Sequence, residues 1–167
     1  MNKLSIHPSQ RGHFAFFVFQ AMKKNKRIWV VTNDLGYKMW DQVREKFPER
    51  FINAGAAEQA MLDLAVGLAL EGKIPIVYSI TSFLLFRPFE TIKNYIDHEK
   101  IPVKLIGGGR DRDYLIDGPS HWASEDKQIM KIFKNIHVAW PESVGEIEKL
   151  VKKMLVDHKP WYLNLRR

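Results

Sequence analysis

The chain has 167 residues, 46% of them apolar and 27% charged, which is the composition of one ordinary globular domain able to bury about 70% of the surface its unfolded form exposes. It carries no cysteine, which excludes disulfides, a thiol nucleophile and a zinc–thiolate site, and no apolar run approaches the roughly 20 residues that span a bilayer. The formal net charge of +7 comes mainly from clusters at 23–27 and 148–153 and from Arg166–Arg167, which fall at predicted helix ends and termini where Lys and Arg are simply solvated.

Steering of anionic substrates or of an acidic partner surface is the functional reading of that charge. Nucleic acid is not expected as a partner, because no basic run is interleaved with stacking aromatics. The opening "MNKLSIHPSQRG" lacks the apolar core and cleavage site of a secretory signal, so the expectation is a cytoplasmic protein with no membrane attachment.

In chain order, residues 1–25 read as a helical lead-in, with the helix itself over 9–24. "RIWVVT" (27–32) is then a near-continuous apolar strand, and further strands are predicted at 74–79, 101–107, 135–140 and 160–165. Runs of this kind are how strands buried on both faces of a parallel sheet look. Helices are predicted near 37–46, 57–71, 82–98, 124–133 and 143–158. Over 57–71 the apolar stripe is Ala60, Met61, Leu64, Ala65 and Leu68, closed by a glycine stop at Gly72. Ser143 with Glu146 three residues on reads as a capping box. Alternating strands and helices imply an open α/β fold: doubly wound, mostly parallel, with helices on both faces and no internal repeat or linker.

In such sheets ligands bind outside the carboxyl ends of the strands. That makes "TNDLGY" after the first strand, "SITSF" after 74–79 and the long glycine-rich segment 107–124 site candidates by position. No dinucleotide, Walker or zinc-protease motif is present. The triple glycine at 107–109 reads more simply as a tight turn than as an anion cradle. The histidines at 7, 13, 98, 137 and 158 are scattered; His121 stands apart, set in "DGPSHW" where proline and glycine fix the backbone before it. Glu58 opens a helix after small residues, and from that window alone the simpler reading is a solvated first-turn carboxylate favoured by the helix dipole.

Three stretches in order, "ERFINAGAAEQAMLDLAVG", "SITSFLLFRPFETIK" and "DGPSHWASEDK", resemble the pyrimidine-binding domain of the transketolase family, and the likeness runs from about residue 27 to 167. The resemblance implies a single pyrimidine-binding domain over 1–167 and thiamine diphosphate as cofactor. By that resemblance Glu58 matches the glutamate that hydrogen-bonds a ring nitrogen of the cofactor's aminopyrimidine, favouring the tautomer that lets the cofactor activate its own thiazolium carbon. Phe83, Phe86 and Phe89 fall in the aromatic wall around the pyrimidine and, spaced by three, share a face of a continuous helix; a plain core role is as good a reading for Phe89. Asp34 and Leu35 match the loop that reaches the thiazolium end. His121 matches the substrate-pocket histidine, with Asp117 and Glu125 placed to orient it. The segment "RDRDYLI" before the histidine loop, Trp122 within it, and Arg87–Pro88 all depart from the family pattern.

The Gly-Asp-Gly segment with which the family holds Mg²⁺ and the diphosphate does not occur in the sequence. The resemblance therefore implies one half of a split enzyme, joined to a separate diphosphate-binding subunit as a two-plus-two heterotetramer that supplies most of the Mg²⁺ site. The expected reaction is transfer of a two-carbon ketol unit between sugar phosphates or related ketoses and aldoses, with the chain inactive alone. A deoxyxylulose-phosphate synthase-like or pyruvate dehydrogenase beta-like subunit is the neighbouring alternative. A non-catalytic module that keeps the fold is the more distant one.

Overall fold

A computed structural model describes residues 7–167, so the first six residues of the predicted lead-in lie outside the described residues. Six strands form one wholly parallel sheet: β1 (Ile28–Thr32), β2 (Phe51–Asn53), β3 (Ile74–Ile80), β4 (Lys104–Gly108), β5 (His137–Ala139) and β6 (Trp161–Leu165), in the order β2-β1-β3-β4-β6-β5. The helices are α1 (Gln10–Lys24), α2 (Asp41–Lys46), α3 (Glu58–Leu70), α4 (Thr81–Phe86), α5 (Phe89–Thr91, continuing as π-helical Ile92–His98), α6 (Asp126–Met130) and α7 (Ile147–Val156). This is the doubly wound α/β architecture that the alternation of runs predicts.

Strand side chains alternate between two cores, as the period of two requires. Val30, Ile76, Tyr78, Ile106 and Leu163 pack beneath α1, α2 and α7 on one face. Val31, Val77, Leu105 and Tyr162 pack against α3, α4, α5 and α6 on the other. Ser9 caps α1 by accepting from the Gly12 amide, and Ser143 and Glu146 form the predicted capping box ahead of α7.

Three expectations need correction. Strand β2 is absent from the sequence reading because it is a three-residue, half-exposed edge strand with no alternation to see. The buried stripe of α3 is Met61, Leu62, Ala65, Val66 and Ala69, so the face is turned and Ala60 and Leu64 are exposed. The predicted 82–98 helix is broken at Arg87–Pro88, since proline cannot donate the backbone bond a continuous helix needs.

Lys104 sits inside the sheet, 1% exposed, with Nζ donating to the carbonyls of Asp157 (2.7 Å) and Lys159 (2.5 Å). Burial lowers its ammonium pKa to about 8, with Asp157 opposing the shift. Between that value and the unfolded lysine's, about 10.4, the unfolded chain holds a proton that the folded chain lacks. Stability is therefore expected to rise with pH across this window, with a slope on the order of 1 kcal/mol per pH unit. Above pH 10 the trend reverses, because burial raises the phenol of Tyr78 to about 12 and that of Tyr162 well above its ordinary value, so the folded chain then keeps protons the unfolded one loses. Urea denaturation at pH 7.5 to 11 checks this. Lys104→Met should abolish the rising limb and leave the falling one, and an identical profile in both proteins refutes the assignment.

Candidate functional site

The carboxyl ends of β1, β2, β3 and β4 deliver their loops to one edge of the sheet, and the candidate residues sit there. Asn33 is the first residue past β1 and is buried at 3% exposure. Asn53, ending β2, stitches the neighbouring loops: its Oδ1 accepts from the amides of Asp34 (2.7 Å) and Gly55 (3.0 Å). Gly55 has φ +69°, a conformation that disfavours a side chain, and nothing lies within 4 Å of where a Cβ would be. This turn, lined by Gly55, Ala56 and Ala57, sets Glu58 as the first residue of α3.

Glu58 is not a solvated first-turn carboxylate. It is 4% exposed, and its Oε1 accepts from Asn33 Nδ2 and from Arg87 Nη1, each at 2.5 Å. The Asn33 Oδ1 beside it is buried and has no hydrogen-bond partner among the described residues. Arg87, whose side chain is 48% exposed, carries its guanidinium 3.9 Å above the centre of the Phe83 ring. Phe83 in turn meets His121 edge-on at 4.9 Å. Glu58, Phe83 and His121, far apart in sequence, are thus brought into one row, with Arg87 bridging the first two.

His121 lies in the 3₁₀ turn Pro119–His121 and hydrogen-bonds through Nδ1 to Ser120 Oγ at 3.0 Å. Its loop is pinned by Ser82 Oγ donating to the Ser120 carbonyl (2.7 Å) and by an antiparallel bridge between Asp111 and Ala123. Asp117 and Glu125 are exposed and make no hydrogen bond to His121; Ser120 occupies that role. Because the chain turns at Arg87–Pro88, the three phenylalanines do not share a face. Phe86 is 52% exposed, and Phe89 packs against Phe133 at 5.5 Å in the core beneath α3. Trp122 lies under the Arg112 guanidinium at 4.4 Å.

Asp34 has φ +54°, a left-handed conformation that Asp tolerates, and the Leu35 carbonyl accepts from Thr32 Oγ1 at 3.1 Å. Leu35 lines a cavity of about 410 Å³ between this loop and the start of α1, together with Arg11, Lys38, Tyr78 and Tyr114. Arg11 donates to Tyr114 Oη at 3.1 Å, and burial raises the Tyr114 phenol pKa, so the phenol stays neutral. The triple glycine serves close packing. A Cβ on Gly108 would meet Tyr78 Oη, and one on Gly109 the Tyr114 ring.

Sequence reasoning missed Asn33, Arg87, Ser82 and the buried Arg110, which ties the loop after β4 to the carbonyls of Pro141 (3.0 Å) and Asn164 (2.8 Å). Asn33, Ser82 and Arg110 shared one signal, their places in the three segments on the ligand edge, and Arg87 stood out only as a departure from the family pattern.

This is a parallel α/β domain of the doubly wound class, with a buried carboxylate, an aromatic face and an imidazole set along the carboxyl edge where such sheets bind their ligands. Residues 11–167 match the family described as "Transketolase, pyrimidine binding domain". The chain belongs to the transketolase family and is its pyrimidine-binding domain. It is 31% identical over 169 residues to "Putative transketolase C-terminal section" of Methanocaldococcus jannaschii, covering all of this chain and 54% of that protein. With 1-deoxy-D-xylulose-5-phosphate synthase of Rhodopirellula baltica it shares 32% identity over 156 residues, 90% of this chain and 24% of that enzyme. The solved structure "Split gene transketolase, inactive beta4 tetramer" superposes with a TM-score of 0.83 at 31% identity, over 95% of this chain and 52% of that one. The chain thus spans about half the length of the first relative and about a quarter of the second. Among the described residues no helix is long and apolar enough to cross a membrane.

Proposed function

We propose that this chain is the pyrimidine-binding half of a thiamine diphosphate-dependent transketolase, assembled with a separate diphosphate-binding subunit, two copies of each, in the cytoplasm. The observation that carries the reading is Glu58, a carboxylate held out of water at the ligand edge of the sheet with an unpartnered acceptor, Asn33 Oδ1, beside it. A buried acceptor left unpaired costs roughly 1–3 kcal/mol, so the site calls for a ligand N–H, and an aminopyrimidine supplies one. Bound thiamine diphosphate supplies the carbon nucleophile that cleaves a ketose C–C bond.

This chain's residues do the rest. Glu58 holds a proton at a pyrimidine ring nitrogen, its carboxylate kept out of bulk water at the start of α3. Phe83 offers its face to the ring, and Asp34 and Leu35 border the thiazolium end. His121 donates to the donor sugar's oxygens as charge grows on them, its ring oriented by Ser120. Arg11 and Lys38 in the adjoining cavity suit a phosphorylated sugar. The names of the methanogen relative and of the split-gene structure support the divided enzyme. Mg²⁺ and the diphosphate are assigned to the partner, since the Gly-Asp-Gly segment with which the family holds them does not occur in this sequence.

A tagged chain incubated with its native lysate, thiamine diphosphate and Mg²⁺ is expected to retain a stoichiometric subunit carrying Gly-Asp-Gly. That complex should transfer ketol units from a ketose donor, whereas the chain alone should be silent. Turnover by the purified chain alone overturns the divided-enzyme reading. The likeness to the synthase favours one alternative, a decarboxylating carboligase subunit, and strict dependence on pyruvate selects it.

A further inference from the structure

Arg87 is one of the residues that depart from the family pattern, and its position raises a conflict. The two groups assigned above to the pyrimidine, the Glu58 carboxylate and the Phe83 ring face, are both engaged by one guanidinium. Arg87 Nη1 is 2.5 Å from Glu58 Oε1, and Arg87 Cζ is 3.9 Å from the Phe83 ring centre. A guanidinium is a planar, delocalised cation with N–H donors along its rim, so it satisfies a carboxylate and an aromatic face at once. An aminopyrimidine is likewise planar and bears an N–H donor. A flat group stacked on that face of Phe83 and bonded to Glu58 takes the volume that Arg87 fills.

We propose that Arg87 is an internal occupant of the pyrimidine clamp, which must swing out before the cofactor's ring can enter, so that Arg87 sets cofactor affinity. The inference rests on the reading of Glu58 and Phe83 given above. Three features make the side chain displaceable. It lies one residue beyond the end of α4, where the helix stops before Pro88. Nearly half of it is already in water, and among the described residues the side chain hydrogen-bonds to Glu58 alone. The carboxylate end of the contact, by contrast, is fixed: Glu58 is buried and keeps Asn33 as a donor when Arg87 leaves. Without Arg87 or a ligand, the buried carboxylate would keep Asn33 alone, so the occupant also satisfies the clamp while it is empty of cofactor. Apparent affinity falls by the fraction of molecules with the clamp open, so a clamp closed nine-tenths of the time weakens binding about tenfold.

The test uses the full chain and 4-amino-5-hydroxymethyl-2-methylpyrimidine as the probe, titrated by NMR against wild type, Arg87→Met, Arg87→Lys and Glu58→Gln. Arg87→Met is expected to bind about tenfold more tightly than wild type, with Arg87→Lys between them because a lysine cannot both fork and stack. In wild type the Arg87 Nε–H resonance should move towards its solvent-exposed position as probe is added. Equal or weaker binding by Arg87→Met, while Glu58→Gln still abolishes it, overturns the occupant role and leaves the pyrimidine site standing. Failure of every variant to bind, or binding indifferent to Glu58, overturns the pyrimidine reading and this inference together.

Discussion

Glu58→Gln in the assembled enzyme is expected to lower kcat for ketol transfer about a thousandfold, or roughly 4 kcal/mol, while changing the thermal midpoint of the chain little. Glutamine matches the size of the carboxylate, and its amide oxygen still accepts from Asn33 Nδ2. What it cannot do is hold and release a proton at the pyrimidine nitrogen, so the loss falls on activation of the cofactor rather than on folding. The ion pair to Arg87 is lost too, but that side chain is half exposed and can turn to water, so its release costs less than about 1 kcal/mol. Glu58→Ala adds a second effect. The Asn33 amide, 3% exposed, loses its acceptor, and the fold should weaken by roughly 1–3 kcal/mol as well. Steady-state kinetics of the complex, set beside thermal unfolding of the free chain, separates the two variants. Glu58→Gln retaining activity within tenfold of wild type would remove the proton-handling role.

How much of this was legible in the sequence follows from what each residue contacts. Strands β1, β3, β4 and β6 are buried almost throughout, so their apolar runs stand out without any partner being known. The face of α3 was misread because alanines and Gly67 lie all round it, and small residues give little contrast between inside and outside. The break at Arg87–Pro88 was visible in principle, since proline marks it. The pairing of Arg87 with Glu58 was not, because the two lie 29 residues apart and meet only when the residue after α4 is brought beside the first residue of α3. Asp126 shows the limit most plainly. In sequence it is one more acidic residue at the start of a short helix, but in the fold it is the centre of a buried polar cluster.

Asp126→Ala is therefore expected to destabilise the chain by about 3–5 kcal/mol, because three neutral donors lose their acceptor at roughly 1–3 kcal/mol each while the cost of burying a charge is relieved. Asp126 is 2% exposed, and a single oxygen, Oδ2, accepts from Trp140 Nε1 (2.6 Å), Asn164 Nδ2 (2.7 Å) and Tyr162 Oη (3.0 Å). Burial, with the Asp126 charge adding to it, raises the Tyr162 phenol well above its ordinary range, so the phenol remains a neutral donor. Alanine leaves these donors facing a void in the core beneath α4 and α6. Asparagine keeps the volume and one acceptor but turns an NH₂ towards some of the donors, so Asp126→Asn should lose about 1–3 kcal/mol. The damage also travels towards the site. Asn164 donates to Thr81 Oγ1 at 3.3 Å, Thr81 opens α4, and the next residue, Ser82, holds the loop of His121 through the Ser120 carbonyl. Loosening of this chain of contacts should expose the hydrogen-bonded backbone amides of His121, Trp122 and Ala123 to hydrogen exchange in Asp126→Asn, before global unfolding does. Urea titration measures the first effect and amide exchange the second. A loss below about 1 kcal/mol for Asp126→Ala would remove the stabilising role of the buried cluster, and protection at 121–123 unchanged in Asp126→Asn would show that the His121 loop is held independently of the buried carboxylate.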